Sequence, residues 1–511
     1  MSFGVAFRVD ATSQIGTGHF MRCLTLADVL RQRGAQIRFI SRGLPEHLRG
    51  MLTARDMDFA PLSDAVTTQA PDDLAHSNWL GASQAQDASD SAEALADREW
   101  DWLVVDHYAL DARWESAMRN VAGKIMAIDD LADRQHDCDV LLDQNYYRDM
   151  QTRYHGKVPE QCRLLLGPRY ALLREEFREL RAQVKPRTGD VKRILMFFGG
   201  VDAGNYTGLA IDALSGLDIK GVEVDVVIGA QHPHRAEIEQ TCAIQGYACH
   251  VQTSRMAELM AAADLAIGAG GSATWERCCL GLPVLSLCTA ENQRRQIADA
   301  AEAGLLYAPD DGGDPVDVIR RHTKCLLENA SLLKLISNAA MNAVDGEGAL
   351  RIVGEIRHPG MSVGTNGVYV RLATADDAPV VWPWRNCEST RRYFFDPSPV
   401  SLDTHVAWWH RSLADAQRAL LIGFSEERAF GVVRFDFDVP ESAVISIYLD
   451  PEMTGKGMGR ALLFAGLNWL RKNHPETSTV SAEILPENSA SLRAFQAAGF
   501  SEQYRALVLT V

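Results

Sequence analysis

Through the first 290 or so residues, short apolar runs end in a carboxylate or a glycine turn, and each is followed by a stretch with helical spacing. Few folds satisfy that alternation. Val5-Ala6-Phe7-Arg8-Val9-Asp10, Gln36-Ile37-Arg38-Phe39-Ile40, Trp102-Leu103-Val104-Val105-Asp106, Lys124-Ile125-Met126-Ala127-Ile128-Asp129 and Val140-Leu141-Leu142-Asp143 read as strands. Continuous apolar strands separated by helices predict a parallel sheet covered on both faces, with ligands outside the carboxyl ends of the strands. Thr67 to Asp97, rich in Ala, Asp, Ser and Gln, reads as a loop plus helices.

The first turn stands out. Ile15-Gly16-Thr17-Gly18-His19-Phe20-Met21-Arg22-Cys23 links the first strand to a helix that runs through Met21, Leu24, Leu26 and Leu30. Gly16 and Gly18 lack the Cβ atoms that would block a ligand, and the helix start offers unpaired N–H groups. A neutral His19 imidazole there can accept a proton from water or hydrogen-bond a reacting oxygen. Asp106-His107-Tyr108, Asp129-Asp130 and Asp143-Gln144-Asn145 fall on the same rim. Taken singly, these are a glycine turn with an incidental His and a set of helix-capping Asp residues. Several polar strand ends on one rim favour a site.

A second α/β lobe opens near Lys192. Arg193-Ile194-Leu195-Met196-Phe197-Phe198 leads into Gly199-Gly200-Val201-Asp202-Ala203-Gly204-Asn205, and Val222 to Ile228 is the next strand. Asp264 to Gly268 leads into Ala269-Gly270-Gly271-Ser272-Ala273-Thr274-Trp275-Glu276, and Pro283 to Leu287 precedes Ala290-Glu291-Asn292-Gln293. Neither glycine loop is GxGxxG or GxxxxGK[ST], which weakens the dinucleotide and ATP readings. Two Rossmann-like lobes with a glycine loop on each side of a cleft suit a diphosphate joined to a sugar.

At 511 residues three domains are the expectation, and a net charge of −16 argues against nucleic acid or an anionic membrane as main partner. No apolar run reaches bilayer length, the first residues enter a strand without a signal-like core, and ten cysteines lack CxxC or zinc spacing. A cytoplasmic protein with reduced thiols is expected.

The Ile15–Arg22 run, Gly199-Gly200-Val201-Asp202, Gly270-Gly271-Ser272 with Glu276, and Asn292-Gln293 together resemble the UDP-sugar hydrolase family of pseudaminic acid synthesis. The resemblance spans roughly residues 1–357, ending at Asp345-Gly346-Glu347-Gly348 and Arg351-Ile352-Val353. It implies the two-lobed GT-B fold, with lobes at 1–185 and 186–357, and release of UDP from UDP-2,4-diacetamido-2,4,6-trideoxy-β-L-altropyranose by water attacking the anomeric carbon, without a metal. His19 matches the family's active-site histidine; Gly270, Gly271, Ser272 and Glu276 match its nucleotide-binding loop and helix. Gly16, Gly18, Asp106, Tyr108, Asn145, Gly200, Asn292 and Gln293 are the remaining candidate substrate contacts. Glu276, one turn into its helix, is placed to accept from ribose hydroxyls, or else lies on a solvated face.

Gly, Pro and Asn crowd residues 358–367, which read as a linker. Beyond it, Val368 to Leu372 is a strand with Thr374 as a plausible helix cap, and Ala419–Phe424 and Ala429–Asp436 form a strand pair. Ala443 to Leu449 is followed by Thr454-Gly455-Lys456-Gly457-Met458-Gly459-Arg460 and an apolar helix, then Glu483-Ile484-Leu485, Asn488-Ser489-Ala490-Ser491-Leu492, Phe495, Gly499 and Phe500. Consecutive amides with glycines ahead of a helix make an anion cradle. The series resembles the GNAT acetyltransferases over 368–511, an α+β fold whose glycine turn holds the pyrophosphate of acetyl-CoA. Ile447, Leu449, the turn from Thr454 to Arg460, and Asn488 are its candidate cosubstrate contacts. The turn begins with Thr454 where the family usually has Gln or Arg. Phe495 stands where many relatives carry the Tyr that protonates the departing thiolate, which leaves Tyr448 or water for that step.

Trp384-Arg385-Asn386, and His405 with Trp408 and Trp409, resemble the N-acetyltransferase of the same pathway, which acetylates the 4-amino group of UDP-4-amino-4,6-dideoxy-N-acetyl-β-L-altrosamine. Arg385 and Asn386 are candidate substrate contacts, and Glu483, expected at a strand end, is the candidate base. The two resemblances imply a bifunctional fusion acting on UDP-amino-sugars with acetyl-CoA as cosubstrate. The rival reading is a GT-B glycosyltransferase moving the sugar to an acceptor, fused to an acetyltransferase or an acetyl-CoA-binding module.

Overall fold

The computed structural model describes residues 3–12, 14–63, 73–309, 312–357, 362–363, 367–425 and 428–503. The chain divides into two compact units, Met1–Ala349 and Leu350–Val511.

The first unit holds two parallel sheets. Strands β1 (Gly4–Val9), β2 (Gln36–Ser41), β3 (Asp58–Pro61), β4 (Trp100–Asp106), β5 (Ala122–Ile128), β6 (Val140–Asp143) and β7 (Arg163–Leu166) lie in the order β3-β2-β1-β4-β5-β6-β7. The order reverses between β1 and β4, so the chain leaves their paired ends toward opposite sides and opens a crevice. Val9 pairs with Asp106 there, and the turn carrying His19 starts just beyond. Ile125, Leu103, Trp114 and Leu141 are buried in the core on one face of this sheet.

β8 (Arg193–Phe197), β9 (Glu223–Ile228), β10 (Ala248–Val251), β11 (Leu265–Ala269) and β12 (Val284–Leu287) form the second sheet, ordered β10-β9-β8-β11-β12. Its reversal falls between β8 and β11, with Phe197 paired to Gly268, so both glycine loops leave from adjacent strand ends. The lobes meet at Asn145, whose side-chain oxygen accepts from the indole N–H of Trp275 (2.8 Å) and from Gln296 (3.1 Å).

The second unit contains one mixed sheet of β13 (Ser362–Val363), β14 (Val368–Leu372), β15 (Arg418–Ser425), β16 (Arg428–Val439), β17 (Ser442–Leu449) and β18 (Thr479–Ser481), in that order. Neighbours are antiparallel except β17 and β18, which are parallel and pair only over Ser442–Val444 and Thr479–Ser481. Ile445 to Leu449 continue past the end of β18, so the two strands part. The helix Met458–Asn473 packs Leu462, Leu463 and Leu470 into the core beneath the sheet.

Some expectations change. Most of the 358–367 linker lies outside the described residues, but Ser362–Val363 pairs with Val370 and Tyr369 as an edge strand. Of the Thr67–Asp97 segment, 67–72 lies outside them; the rest contains the helix Gln84–Ala94. Thr374 caps no helix. Its N–H and hydroxyl both donate to Asp377, which also forms a bidentate pair with Arg371.

Candidate active sites

His19 is the second residue of the helix Gly18–Gln32, and the switch point of the first sheet brings it to the end of β4. Its Nδ1 lies 2.5 Å from Asp106 Oδ1. A carboxylate only accepts, so Nδ1 carries the proton and Nε2 presents a lone pair. Asp106 is buried and is also gripped by Arg22, through Nε to Oδ2 (2.6 Å) and Nη2 to Oδ1 (2.7 Å). Burial works against the ionised form, but Arg22 and His19 outweigh it and hold the Asp106 carboxyl well below the ordinary carboxylate range. With both oxygens engaged, Asp106 positions His19 and is not left to contact a substrate.

Asp130 extends the network. It accepts from Arg22 Nη1 (3.1 Å), from the Tyr108 hydroxyl (2.5 Å) and from the Asn145 amide (3.3 Å). Burial and then Asp130 raise the Tyr108 phenol, so it stays a donor. The Tyr108 ring stands edge-on to His19 at 4.6 Å. Asn145, expected at the substrate, is instead spent: its oxygen bridges to the second lobe and its amide holds Asp130. Arg22 lay in the glycine-turn run and Asp130 on the rim, but neither was a candidate contact; the usable signal for Arg22 was its place three residues after His19, on the same helix face.

Gly16 has φ +76°, and a Cβ placed on Gly16 or Gly18 would meet nothing within 4 Å. The turn therefore opens onto free space beside the imidazole. Behind it, the buried Arg8 guanidinium clasps Asp10 (2.7 Å) and Asp87 (2.8 Å), and Asp10 accepts from Ser41 (2.7 Å). That network fixes the ends of β1 and β2 beneath the turn.

The two loops of the second lobe are not equivalent. After β8, Asp202 accepts from the N–H groups of Tyr206 (3.0 Å) and Thr207 (2.8 Å), and Asn205 accepts from Gly208 (3.2 Å). The helix Tyr206–Ser215 is thus capped by the loop's own carboxylate, which takes up amides that an uncapped start would leave free beyond Gly200, the candidate substrate contact. After β11, the helix Ala273–Cys279 begins at Ser272 with no side-chain cap. Gly271 has φ +92°, and the Gln293 side chain lies 3.5 and 3.7 Å from where Cβ atoms of Gly270 and Gly271 would stand. Asn292 shares the turn Glu291–Gln293; its side chain lies outside the described set. Half-buried Glu276 has one ion pair, 3.6 Å from Arg174, and burial raises its carboxyl despite that arginine. Gly270, Gly271, Glu276 and Gln293 thus share one corner, with a carboxylate able to accept.

In the second unit the turn from Thr454 to Arg460 follows the end of β17, where Ile447 and Leu449 are half-buried. Gly455 and Gly457 have φ of +78° and +77°, and Cβ atoms there would meet nothing within 4 Å. Gly457 starts the helix Met458–Asn473 with no side-chain cap. Two strands that part, an open left-handed turn and an uncapped 16-residue helix fit the acyl arm and pyrophosphate of acetyl-CoA. Asn488 accepts from Ser491 N–H (3.1 Å), so it caps the next helix. Asn386 exchanges two hydrogen bonds with Val400, and Arg385 donates to the Ser398 carbonyl (3.0 Å) and lies over Phe394. Both hold the 394–400 loop. Glu483, expected at a strand end, sits exposed in a loop beyond Ser481, because β18 ends sooner than its residues suggested. Phe495 is packed in the core against Phe500. Tyr448 lies against Phe394, and burial raises its phenol.

Two Rossmann-like lobes around a His–Asp pair, followed by an α+β sheet with a parted strand pair, define a GT-B-like hydrolase or transferase unit joined to an acetyltransferase fold. The comparisons agree: residues 368–501 match the acetyltransferase (GNAT) domain family. The UDP-2,4-diacetamido-2,4,6-trideoxy-β-L-altropyranose hydrolase of Campylobacter jejuni is 24% identical over 304 residues, covering 59% of this chain and 97% of that protein. An uncharacterized protein of Methanocaldococcus jannaschii is 21% identical over 517 residues, covering 98% of this chain and 96% of its own length. The spore coat polysaccharide biosynthesis protein SpsG of Bacillus subtilis is 28% identical over 211 residues, 40% of this chain and 61% of that one. The chain is an enzyme that joins a region similar to a UDP-sugar hydrolase to a GNAT acetyltransferase domain. Among the described residues, no helix is long and apolar enough to cross a membrane.

Proposed function

We propose that the chain carries out two consecutive steps on one UDP-amino-sugar: acetylation of a sugar amine by the second unit, then hydrolysis of the acetylated product by the first. The specific reading is acetylation of the 4-amino group of UDP-4-amino-4,6-dideoxy-N-acetyl-β-L-altrosamine, followed by hydrolysis of UDP-2,4-diacetamido-2,4,6-trideoxy-β-L-altropyranose within pseudaminic acid synthesis. The observation that carries the hydrolytic step is the His19–Asp106 pair at an open glycine turn.

Water gives a proton to His19 Nε2 as its oxygen bonds the anomeric carbon, and the carbon–oxygen bond to UDP breaks with its electron pair. Asp106 orients the ring and stabilises the imidazolium, as a buried carboxylate does for a catalytic histidine. The leaving diphosphate gathers charge beside Gly270-Gly271-Ser272, and Glu276 accepts from the ribose hydroxyls. In the second unit, the sugar amine attacks the thioester carbonyl of acetyl-CoA, held between β17 and β18. As the C–N bond forms and the C–S bond breaks, the amine nitrogen gives up a proton to water, and the departing thiolate takes one from Tyr448, whose phenol burial keeps protonated, or from water.

The test is incubation with the diacetamido UDP-sugar in ¹⁸O-water, without acceptor. UDP without label and sugar with one ¹⁸O at C1 are expected. Label in UDP, or turnover that needs an added acceptor, contradicts the reading.

A further inference from the structure

Arg277 lies in the helix Ala273–Cys279 and is 1% exposed. Its Nη2 donates to the Ala269 carbonyl (2.5 Å) and, at 3.5 Å, to the Thr274 hydroxyl, while Nε has no partner. Among the described residues, no carboxylate pairs with it. Other buried arginines of this unit differ: Arg8 sits on Asp10 and Asp87, Arg22 on Asp106, and Arg134 on Asp129. Arg187, also buried without a carboxylate, distributes its guanidinium over the carbonyls of Lys185, Met260, Ala261, Ala263 and Leu280. Arg277 has no salt bridge and no such cage; the neighbouring Glu276 carboxylate acts on it only through space. Burial draws it down to about 10, so it remains a cation at neutral pH.

Its position is built. Ala269 ends β11 and immediately precedes Gly270-Gly271-Ser272. A Cβ on Gly268 would stand 2.7 Å from Arg277 Nη1 and 2.2 Å from the Phe197 carbonyl oxygen, so the glycine makes room for the guanidinium. A buried charge without a salt bridge is costly to the fold, and in a low dielectric its field reaches further than at a surface. Exchange for an apolar side chain would relieve that cost.

We propose that Arg277 is a positioning residue whose buried charge, held in no salt bridge beneath the Gly270-Gly271-Ser272 turn, selects a nucleoside diphosphate over an uncharged nucleoside. The proposal rests on the reading of that turn as a diphosphate site. Arg277 acts through the turn and touches no substrate.

Titration calorimetry of the full chain with UDP and with uridine tests it, alongside thermal unfolding without ligand. In Arg277→Met, UDP affinity should fall about 10-fold or more, which is about 1.4 kcal/mol or more, while uridine affinity stays within about 2-fold of wild type. The ligand-free melting temperature should hold or rise, because an unpaired buried charge is gone. Arg277→Lys, which keeps the charge, should restore most of the UDP preference. Unchanged UDP affinity in Arg277→Met overturns the proposal, as does an equal loss for UDP and uridine, which marks a purely structural arginine. Should Arg277→Met not fold, the wild type decides: a buried charge is little screened, so its UDP-over-uridine preference should survive 0.5 M NaCl to within about 3-fold, and collapse there overturns the proposal. A wild type that binds no UDP overturns the UDP-sugar reading itself, a failure distinct from UDP binding that ignores Arg277.

Discussion

His19 Nδ1 and Asp106 Oδ1 lie 2.5 Å apart although 87 residues separate them in the chain. β1 and β4 are neighbours at the point where the strand order reverses, and that pairing brings one side chain to the other. Arg22 closes on the same carboxylate from one turn further along the helix.

Asp106→Asn should therefore act on turnover more than on binding. Loss of the acceptor for Nδ1–H lets the imidazole take the wrong tautomer, and kcat for UDP release should fall roughly 100-fold or more with KM little changed. Steady-state assays of UDP release check this, with a melting curve to confirm folding. An equal rise in KM without a fall in kcat would place Asp106 at the substrate.

Asn145→Ala should cost stability. The substitution leaves the Trp275 indole N–H without its acceptor at the junction of the lobes, and about 1–3 kcal/mol is expected from such an orphaned donor. Urea unfolding measures it. A variant as stable as wild type that nevertheless loses substrate affinity would return Asn145 to the binding site.

The first unit should lose stability as pH rises from 6.5 to about 9. Burial alone would lower the pKa of His136, but Asp129 (3.7 Å) and Glu115 (2.8 Å) outweigh it and raise it to about 9. A raised folded-state pKa favours the folded form fully below 6.5, and that contribution disappears as the folded imidazolium deprotonates. The size is on the order of 3 kcal/mol by the linkage relation. Urea midpoints at pH 6, 7.5 and 9 should decline for wild type, with a shallower decline for His136→Gln; parallel curves would remove His136 as the cause.

Gly457→Val should weaken acetyl-CoA binding. Gly457 has φ +77° at the start of the cosubstrate helix, and a β-branched residue there is strained by about 1–2 kcal/mol, enough for roughly a tenfold loss if the turn shifts to relieve it. Calorimetry with acetyl-CoA reads the change; UDP-sugar hydrolysis by the first unit should continue at the wild-type rate.

The sequence made much of this legible where physics is local. Continuous Val, Leu and Ile runs marked β1, β4, β5, β8 and β11, since buried parallel strands need apolar residues on both faces. β3 (Asp-Phe-Ala-Pro) and β10 (Ala-Cys-His-Val) went unread because edge strands this short and half-exposed carry no such run, and the strand expected to end at Glu483 stops at Ser481. The brevity of β18 is also why Glu483 was misplaced. At the site, His19 announced itself through flanking glycines, and Asp106 through its place at a strand end. What no local pattern could reveal is that Asp106 turns toward His19 and Arg22, or that Asn145 reaches Trp275 across 130 residues of chain. The capped state of the Gly200 loop hid for a different reason: Asp202 follows a glycine pair in the manner of a ligand-binding turn, yet its carboxylate folds back onto the helix it precedes.

Mass spectrometry of the UDP-4-amino sugar incubated with the full chain, with and without acetyl-CoA, tests the central claim most directly. With acetyl-CoA, the sugar nucleotide should gain one acetyl mass and then give way to UDP and free diacetamido sugar; without it, the substrate should persist. A sugar nucleotide unchanged in either case contradicts the two-step account, and an acetylated product that accumulates without UDP release contradicts its hydrolytic half.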